Sequence, residues 1–330
     1  MAFVTGAGGF VGAHVARHLM DEGWDVRALV RPASMAARRW PDGCEVVGGD
    51  GRDAATMRRG AEGADAVFHV AADYRLARHA GRRLERDNLA MTRHALDAAG
   101  AAGAAMVMTS SVSTIGFRDD RPADETSNVD DDHMVGAYKR SKLATERLAL
   151  DAAAAGQRVV VVNPTTPIGP GDARPTPTGR VVRDAAMGRM PAVVDTGLNA
   201  VDVEDVARGH LQALEHGVSG RRYILGGQNL TLKFIVSVAA ETGGHPPPRL
   251  QLPHSLAIGI SAVDELVEGT LLRREPRAPL NGALMARTRM WVTSGRARRE
   301  LGYEPGPAEP AIARAARWYL DEAGAVGRAA

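Results

Sequence analysis

At 330 residues with 45% hydrophobic side chains, the chain is long enough for one large domain or two intimately joined ones. Its formal net charge of +2, from 41 Lys+Arg against 39 Asp+Glu, provides no field suited to nucleic acid. A single cysteine, Cys44, excludes an intrachain disulfide and a cysteine-based metal site, and no apolar run reaches the roughly 18 residues that span a bilayer. The opening MAFVTGAGGFVG has neither a basic n-region nor a cleavage site, so a cytoplasmic enzyme is expected. Nearly all the cations are arginines; the lysines are Lys139, Lys142 and Lys233.

Ala2–Thr5 reads as a strand and Gly9–Glu22 as an amphipathic helix. Between them, Thr5-Gly6-Ala7-Gly8-Gly9-Phe10-Val11-Gly12 is a glycine-rich turn. Gly6 can make the tight turn, Gly9 lets backbone approach a pyrophosphate, and Gly12 allows helix and strand to pack closely. The helix start offers unpaired N–H groups and a positive dipole end to phosphates, bringing Phe10 and Val11 into the same cradle. Asp25–Val30 is the second strand, whose end separates NAD from NADP. A carboxylate there bonds the ribose 2′-hydroxyl, whereas an arginine accommodates a 2′-phosphate. Val30 is followed by Arg31, with Ser34 and Arg38 close behind and no carboxylate at the strand end. A guanidinium grips phosphate bidentately, so NADP(H) is preferred, with NAD(H) as the alternative.

Cys44–Val47 reads as strand, Ala54–Gly60 as helix, Ala66–Val70 as strand and Leu84–Ala102 as a long helix. Ala105–Thr109 is strand, Val135–Ala155 helix and Arg158–Val162 strand. Short apolar strands separated by helices imply a parallel sheet covered on both faces, a doubly wound α/β fold whose ligands lie outside the carboxyl ends of the strands. After Asn163 the texture changes: NPTTPIGPGDARPTPTG is crowded with proline and glycine. Helical runs follow near Asp202–His216, Leu232–Thr242, Leu256–Leu271 and Ala308–Asp321. Residues 1–163 are therefore expected to bind the dinucleotide. Residues 164–330 are expected to form a smaller mixed part for the substrate, with segments around 196–230, including a strand Arg222–Leu225, returning to the main sheet.

Tyr138 and Lys142 lie four apart, on one face of the Val135–Ala155 helix. Hydride transfer to a carbonyl needs a proton donor on oxygen. A free phenol titrates at about 10, and a neighbouring cation brings it toward neutrality, where acid–base work is efficient. Lys142 supplies that cation and can bind a ribose hydroxyl. Ser111 closes the Met106–Ser111 strand end in the expected crevice, either as a donor to the substrate oxygen or as a turn former. His69 reads as a strand-end packing residue rather than a base. Asp73, Tyr74 and Arg75 either reach the substrate or form a surface loop, and Asp130-Asp131-Asp132 reads as helix capping. The ten histidines show no metal-ligand spacing, so no metal is expected.

Gly6-x-x-Gly9-x-x-Gly12, His69-Val70-Ala71-Ala72, Thr109-Ser110-Ser111 and Tyr138-x-x-x-Lys142 resemble the extended short-chain dehydrogenase/reductases. The resemblance implies a Rossmann-type enzyme in which Ser111, Tyr138 and Lys142 are catalytic. By the same resemblance Ala71 lies against the cofactor, Asp50 contacts the adenine, Asn163 and Pro164 flank the nicotinamide, and Asn88 is structural. His69–Leu76, Asn163–Pro170, Pro175–Gly179 and Asp195–Asn199 further resemble the hopanoid-associated sugar epimerase subgroup, which implies a sugar-like substrate. Epimerases acting on nucleotide sugars carry an arginine near Asn199 that is missing here, and the Arg31 and Arg38 pair resembles dihydroflavonol reductase-like members. The expectation is a reductase or dehydrogenase acting on an alcohol/carbonyl pair, the alternative an epimerase that oxidises and re-reduces one carbon. The two long helices resemble those that form homodimers in this family.

Overall fold

A computed structural model describes the chain except for residues 37–39, 74–80, 118–120, 130–135, 265–283, 285 and 330. In chain order the first half comprises β1 (Ala2–Thr5), α1 (Phe10–Asp21), β2 (Val26–Val30), α2 (Pro32–Ala36), β3 (Glu45–Gly48) and α3 (Ala54–Ala61). It continues with β4 (Ala66–His69), α4 (Gly81–Ala102), β5 (Ala105–Thr109), a 3₁₀ turn (Val112–Thr114), α5 (Ala137–Ala154) and β6 (Val159–Pro164). Then follow β7 (Thr166–Ile168), α6 (Pro177–Ala186), β8 (Ala192–Val194), β9 (Gly197–Asp202), α7 (Val203–His216) and β10 (Arg222–Leu225). The remainder holds β11 (Gln228–Thr231), α8 (Leu232–Thr242), β12 (Leu250–Leu252), α9 (His254–Asp264), α10 (Gly295–Leu301) and α11 (Ala308–Ala329).

Seven strands form one parallel sheet in the order β10-β6-β5-β4-β1-β2-β3. This is the doubly wound α/β fold that the alternation predicts. Because successive strand side chains point to opposite faces, each strand feeds two cores. Val4, Phe68, Val107 and Val162 pack with Val15 and Leu19 of α1 and with Val206 and Leu211 of α7. On the other face, Phe3, Val67, Met106 and Val161 pack with Met57 of α3, Leu96 of α4 and Ala149 of α5. The winding reverses at β1, which pairs with β2 on one side and β4 on the other. Ligands bind where such a reversal opens a crevice at the carboxyl ends of the strands.

Residues after Asn163 contribute to both layers of the molecule. β10 pairs in parallel with β6, and α7 and Leu301 of α10 belong to the core beneath β1. A separate three-stranded sheet, β11-β9-β7, packs with α6, α8 and α11 around Val182, Ile235 and Ile312. The proline-rich stretch read as irregular holds β7 and the start of α6. Pro177 occupies the first turn of α6, where a missing N–H is harmless, and Thr176 caps it by accepting from Gly179 N at 3.0 Å. The helix expected over Val135–Ala155 begins, among the described residues, at Ala137, where Gly136 at φ +100° turns the chain into it. The expected helix over Leu256–Leu271 begins two residues earlier, at His254, and its end lies outside the described residues. Among the described residues, no helix is long and apolar enough to cross a membrane.

Candidate active site

The glycine turn and the end of β4 are packed back to back. Gly6 stands at φ +79°, and a Cβ there would lie 2.8 Å from Ala71 N. A Cβ on Gly12 would come within 2.2 Å of Gly6 O, so helix and turn approach this closely only with glycine at both positions. Gly9 N donates to Gly6 O at 2.8 Å. As the N-cap of α1, Gly9 provides no side-chain oxygen, and the first turn carries no acidic residue. The N–H groups around Phe10, Val11 and Gly12 therefore remain for a ligand, with the dipole favouring an anion. The cradle fits the pyrophosphate of a dinucleotide.

Arg31 is exposed at the end of β2, and its carbonyl accepts from Ser34 N and Met35 N at 2.8 and 2.9 Å, starting α2. Arg38 lies outside the described residues. Asp50 stands beyond β3 and is gripped by Arg52, whose Nε and terminal nitrogen reach the two carboxylate oxygens at 3.0 and 2.7 Å. That grip, aided by the charge of Arg31, holds the Asp50 carboxyl below the usual carboxylate range. Arg52 also reaches Asp87 of α4 at 3.1 Å.

On α5, Lys142 is 6% exposed and its Nζ donates to Thr109 O at 2.9 Å, at the very end of β5. Burial lowers its pKa to about 8, opposed by the charge of Glu146. Tyr138 lies one turn earlier on the same helix, half-buried. Ser111 is half-buried, with its Oγ accepting from Ser113 N at 3.1 Å to cap the 3₁₀ turn. This is the turn-former role, and it still leaves the hydroxyl proton for donation. The carbonyl of Ser111 accepts from Asn163 Nδ2 at 3.1 Å, so the ends of β5 and β6 are tied together. Asn163 and Pro164 close β6, and Asn163 is fully buried.

His69 is 2% exposed between Thr5 and Thr92, with contacts of 3.0 and 3.2 Å. Burial, reinforced by the charge of Lys142, lowers its pKa to about 3; it stays neutral and acts in packing. His210 of α7 is buried behind β5, where Thr109 Oγ1 donates to its Nε2 at 2.8 Å while its Nδ1 donates to Val206 O. Burial lowers its pKa to about 4. Asn88 binds the Asp73 backbone on both sides, accepting from N at 2.7 Å and donating to O at 2.9 Å, and also donates to Ser141 Oγ at 2.8 Å. It pins the post-β4 segment to α5, a structural role. Tyr74, Arg75 and Asp130–Asp132 lie outside the described residues. A small pocket at the ends of β4 and β5 is lined by His69, Ala71, Asn88, Met108, Thr109 and Lys142. Among the described residues, no cluster of His, Cys, Asp and Glu could hold a metal ion.

Sequence reasoning missed Glu146 and Arg222. The Glu146 side chain is 1% exposed and accepts from Ser110 Oγ at 2.5 Å, Thr114 Oγ1 at 2.7 Å, Asn163 Nδ2 at 2.7 Å and Arg222 at 3.0 Å. The available signal was its spacing: it continues the four-residue step from Tyr138 through Lys142.

A family model described as the NAD dependent epimerase/dehydratase family matches residues 2–226. The chain belongs to this family. A Synechocystis sp. protein named "putative dihydroflavonol 4-reductase" is 40% identical over 323 residues, covering 96% of this chain and 94% of the relative. Sterol demethylase protein B of Methylococcus capsulatus is 33% identical, covering 96% and 98%. The crystal structure of gox2253 superposes with a TM-score of 0.85 at 39% identity, covering 98% of each chain. Members of this epimerase/dehydratase family are enzymes that bind a nicotinamide cofactor and act on small molecules; those similar to this chain carry the names of reductases, epimerases and dehydratases.

Proposed function

We propose that the chain is an NADP(H)-dependent reductase or dehydrogenase of a carbonyl/alcohol pair, with Tyr138 as proton donor and acceptor, Lys142 as its cation and Ser111 as substrate donor. The observation that carries this reading is the Lys142 ammonium, buried and anchored on Thr109 O at the end of β5, one helical turn from Tyr138. A bound nicotinamide supplies the hydride. The protein supplies the rest: the turn Gly6–Gly12 binds pyrophosphate, Asn163 and Pro164 wall the crevice, and Ser111 holds the substrate oxygen toward the Tyr138 hydroxyl. Lys142 favours the phenolate, which makes proton exchange at that oxygen efficient near neutral pH. Asn199 supports reduction over nucleotide-sugar epimerisation. It is 2% exposed and spent on structure, accepting from Gly227 N at 2.8 Å and donating to Asn229 at 2.7 Å, so no cation stands there for a diphosphate.

Arg31 at the end of β2 supports the 2′-phosphate, and fluorescence titration tests it. NADPH should bind at least about tenfold more tightly than NADH, a difference of about 1.4 kcal/mol. Arg31→Glu should erase that margin by weakening NADPH while leaving NADH within about threefold, because a carboxylate there repels phosphate and accepts from the ribose hydroxyl. At least tenfold tighter NADH binding by the parent chain would overturn the cofactor assignment. The purified protein separates the two reactions: an empty or freely exchanging site fits net reduction, and stoichiometric, non-exchanging oxidised cofactor refutes it in favour of the epimerase.

A further inference from the structure

Glu146 is a buried carboxylate that no step of the proposed chemistry consumes. It sits four residues after Lys142, hence beside it on α5. One of its oxygens gathers Ser110 Oγ, Thr114 Oγ1 and Asn163 Nδ2 at 2.5 to 2.7 Å; the other meets Arg222 of β10 at 3.0 Å. These partners come from the end of β5, the 3₁₀ turn that Ser111 caps, the end of β6 and the start of β10. Arg222 is itself fixed by two donations to Glu125 O, at 3.0 and 2.8 Å, and one to Asn128. A buried carboxylate held by this many donors cannot shift without leaving several of them unpaired.

We infer that Glu146 is a positioning residue for the acid–base pair: its fixed charge keeps the buried Lys142 side chain an ammonium, and its hydrogen bonds set the strand ends that carry Ser111 and Asn163. The inference rests on the reading of Lys142 as the cation of that pair. Burial alone works against the ammonium. Among the groups facing Lys142, His69 of β4 is neutral and His210, behind Thr109, is neutral as well. Tyr138 is the catalytic partner on the same helix, and Arg222 approaches the carboxylate at its other oxygen, leaving Glu146 as the anion that opposes desolvation.

The scarcity of lysine makes this directly measurable. Full-length protein labelled with [ε-¹³C]lysine gives three side-chain resonances, from Lys139, Lys142 and Lys233, and Lys142→Met identifies the second. In the parent chain that resonance should titrate near pH 8. Glu146→Gln should lower its midpoint by about one pH unit, the effect of removing a nearby opposite charge, whereas Glu146→Asp, which keeps the charge, should hold it within about 0.3 units. Replacing the whole ion pair by Glu146→Met and Arg222→Met, an exchange that buried pairs often tolerate, keeps the question answerable should Glu146→Gln not fold. Here too the midpoint should fall. In the active variants the alkaline limb of kcat should move with the midpoint while KM stays within about twofold. A Lys142 midpoint within about 0.3 units of the parent in every folded charge-removing variant would overturn the inference. Because the resonance reports the lysine itself, it stands or falls apart from turnover; absence of carbonyl reduction would refute the proposed reaction and leave the titration intact.

Discussion

Tyr138→Phe should lower kcat for carbonyl reduction about 10³-fold, some 4 kcal/mol of barrier, while changing NADPH affinity less than threefold. The asymmetry follows from where the hydroxyl stands. Tyr138 is half-buried on the first turn of α5, one turn before a lysine whose ammonium is anchored on Thr109 O. Deleting one oxygen removes the proposed proton donor, while the Lys142 anchor on Thr109 O and the glycine turn do not depend on it. Phe retains the ring, so no cavity forms. The check is NADPH oxidation followed at 340 nm against a panel of ketones, beside a fluorescence titration of the same preparation. A variant that retains more than a tenth of parental turnover would remove Tyr138 from its role.

The second large effect is loss of stability in mild acid. His69 and His210 are both buried and neutral, with pKa values of about 3 and about 4, well below the ordinary imidazole value of about 6.5. Between those values the unfolded chain binds protons that the folded chain refuses, so stability rises with pH across this window. It is complete above about 6.5 and lost as pH falls, toward about 4 for His210 and about 3 for His69. At pH 5 each imidazole has cost about 2 kcal/mol relative to pH 7.5, about 4 kcal/mol together. That is a large part of the 5–15 kcal/mol typical of a folded domain. Urea unfolding at the two pH values measures it, and His69→Gln with His210→Gln should flatten the difference. An equal pH dependence in that double variant would locate the acid sensitivity elsewhere.

Legibility in the sequence followed the strength of the local signal. β1, β5 and, after its leading Arg222, β10 are continuous apolar or β-branched runs, and their limits were readable to the residue. The three-stranded sheet was not, because its strands speak against themselves. β7 is three residues long with Pro167 in the middle, β9 contains Gly197 and Asn199, and β11 is mostly polar. These segments become strands through pairing with one another, which no local window contains. The candidate site shows the same division. Gly6, Gly12, Tyr138 and Lys142 announce themselves because few other residue types could serve there. Glu146 does not, since a glutamate on a helix is ordinarily solvated and only tertiary structure reveals that four donors converge on it. Asp50, expected from the resemblance to contact the adenine, is also held by Arg52, a pairing visible only once the segment after β3 has folded.

The seventh strand of the main sheet has a consequence for how the molecule is made. β10 lies beside β6 but follows it by about sixty residues of other structure, and it delivers Arg222 to Glu146 across 76 positions of sequence. A nascent chain that ends before Arg222 has six strands of the main sheet, a bare backbone edge on β6 and a buried carboxylate without its guanidinium partner. Bare edges invite pairing with other chains, and an uncompensated buried charge opposes docking of the helix that carries it. Closing the sheet and seating α5 are thus one late, long-range event, which makes folding slow relative to the local helices. A stalled or truncated chain is correspondingly an aggregation hazard rather than a partly competent enzyme.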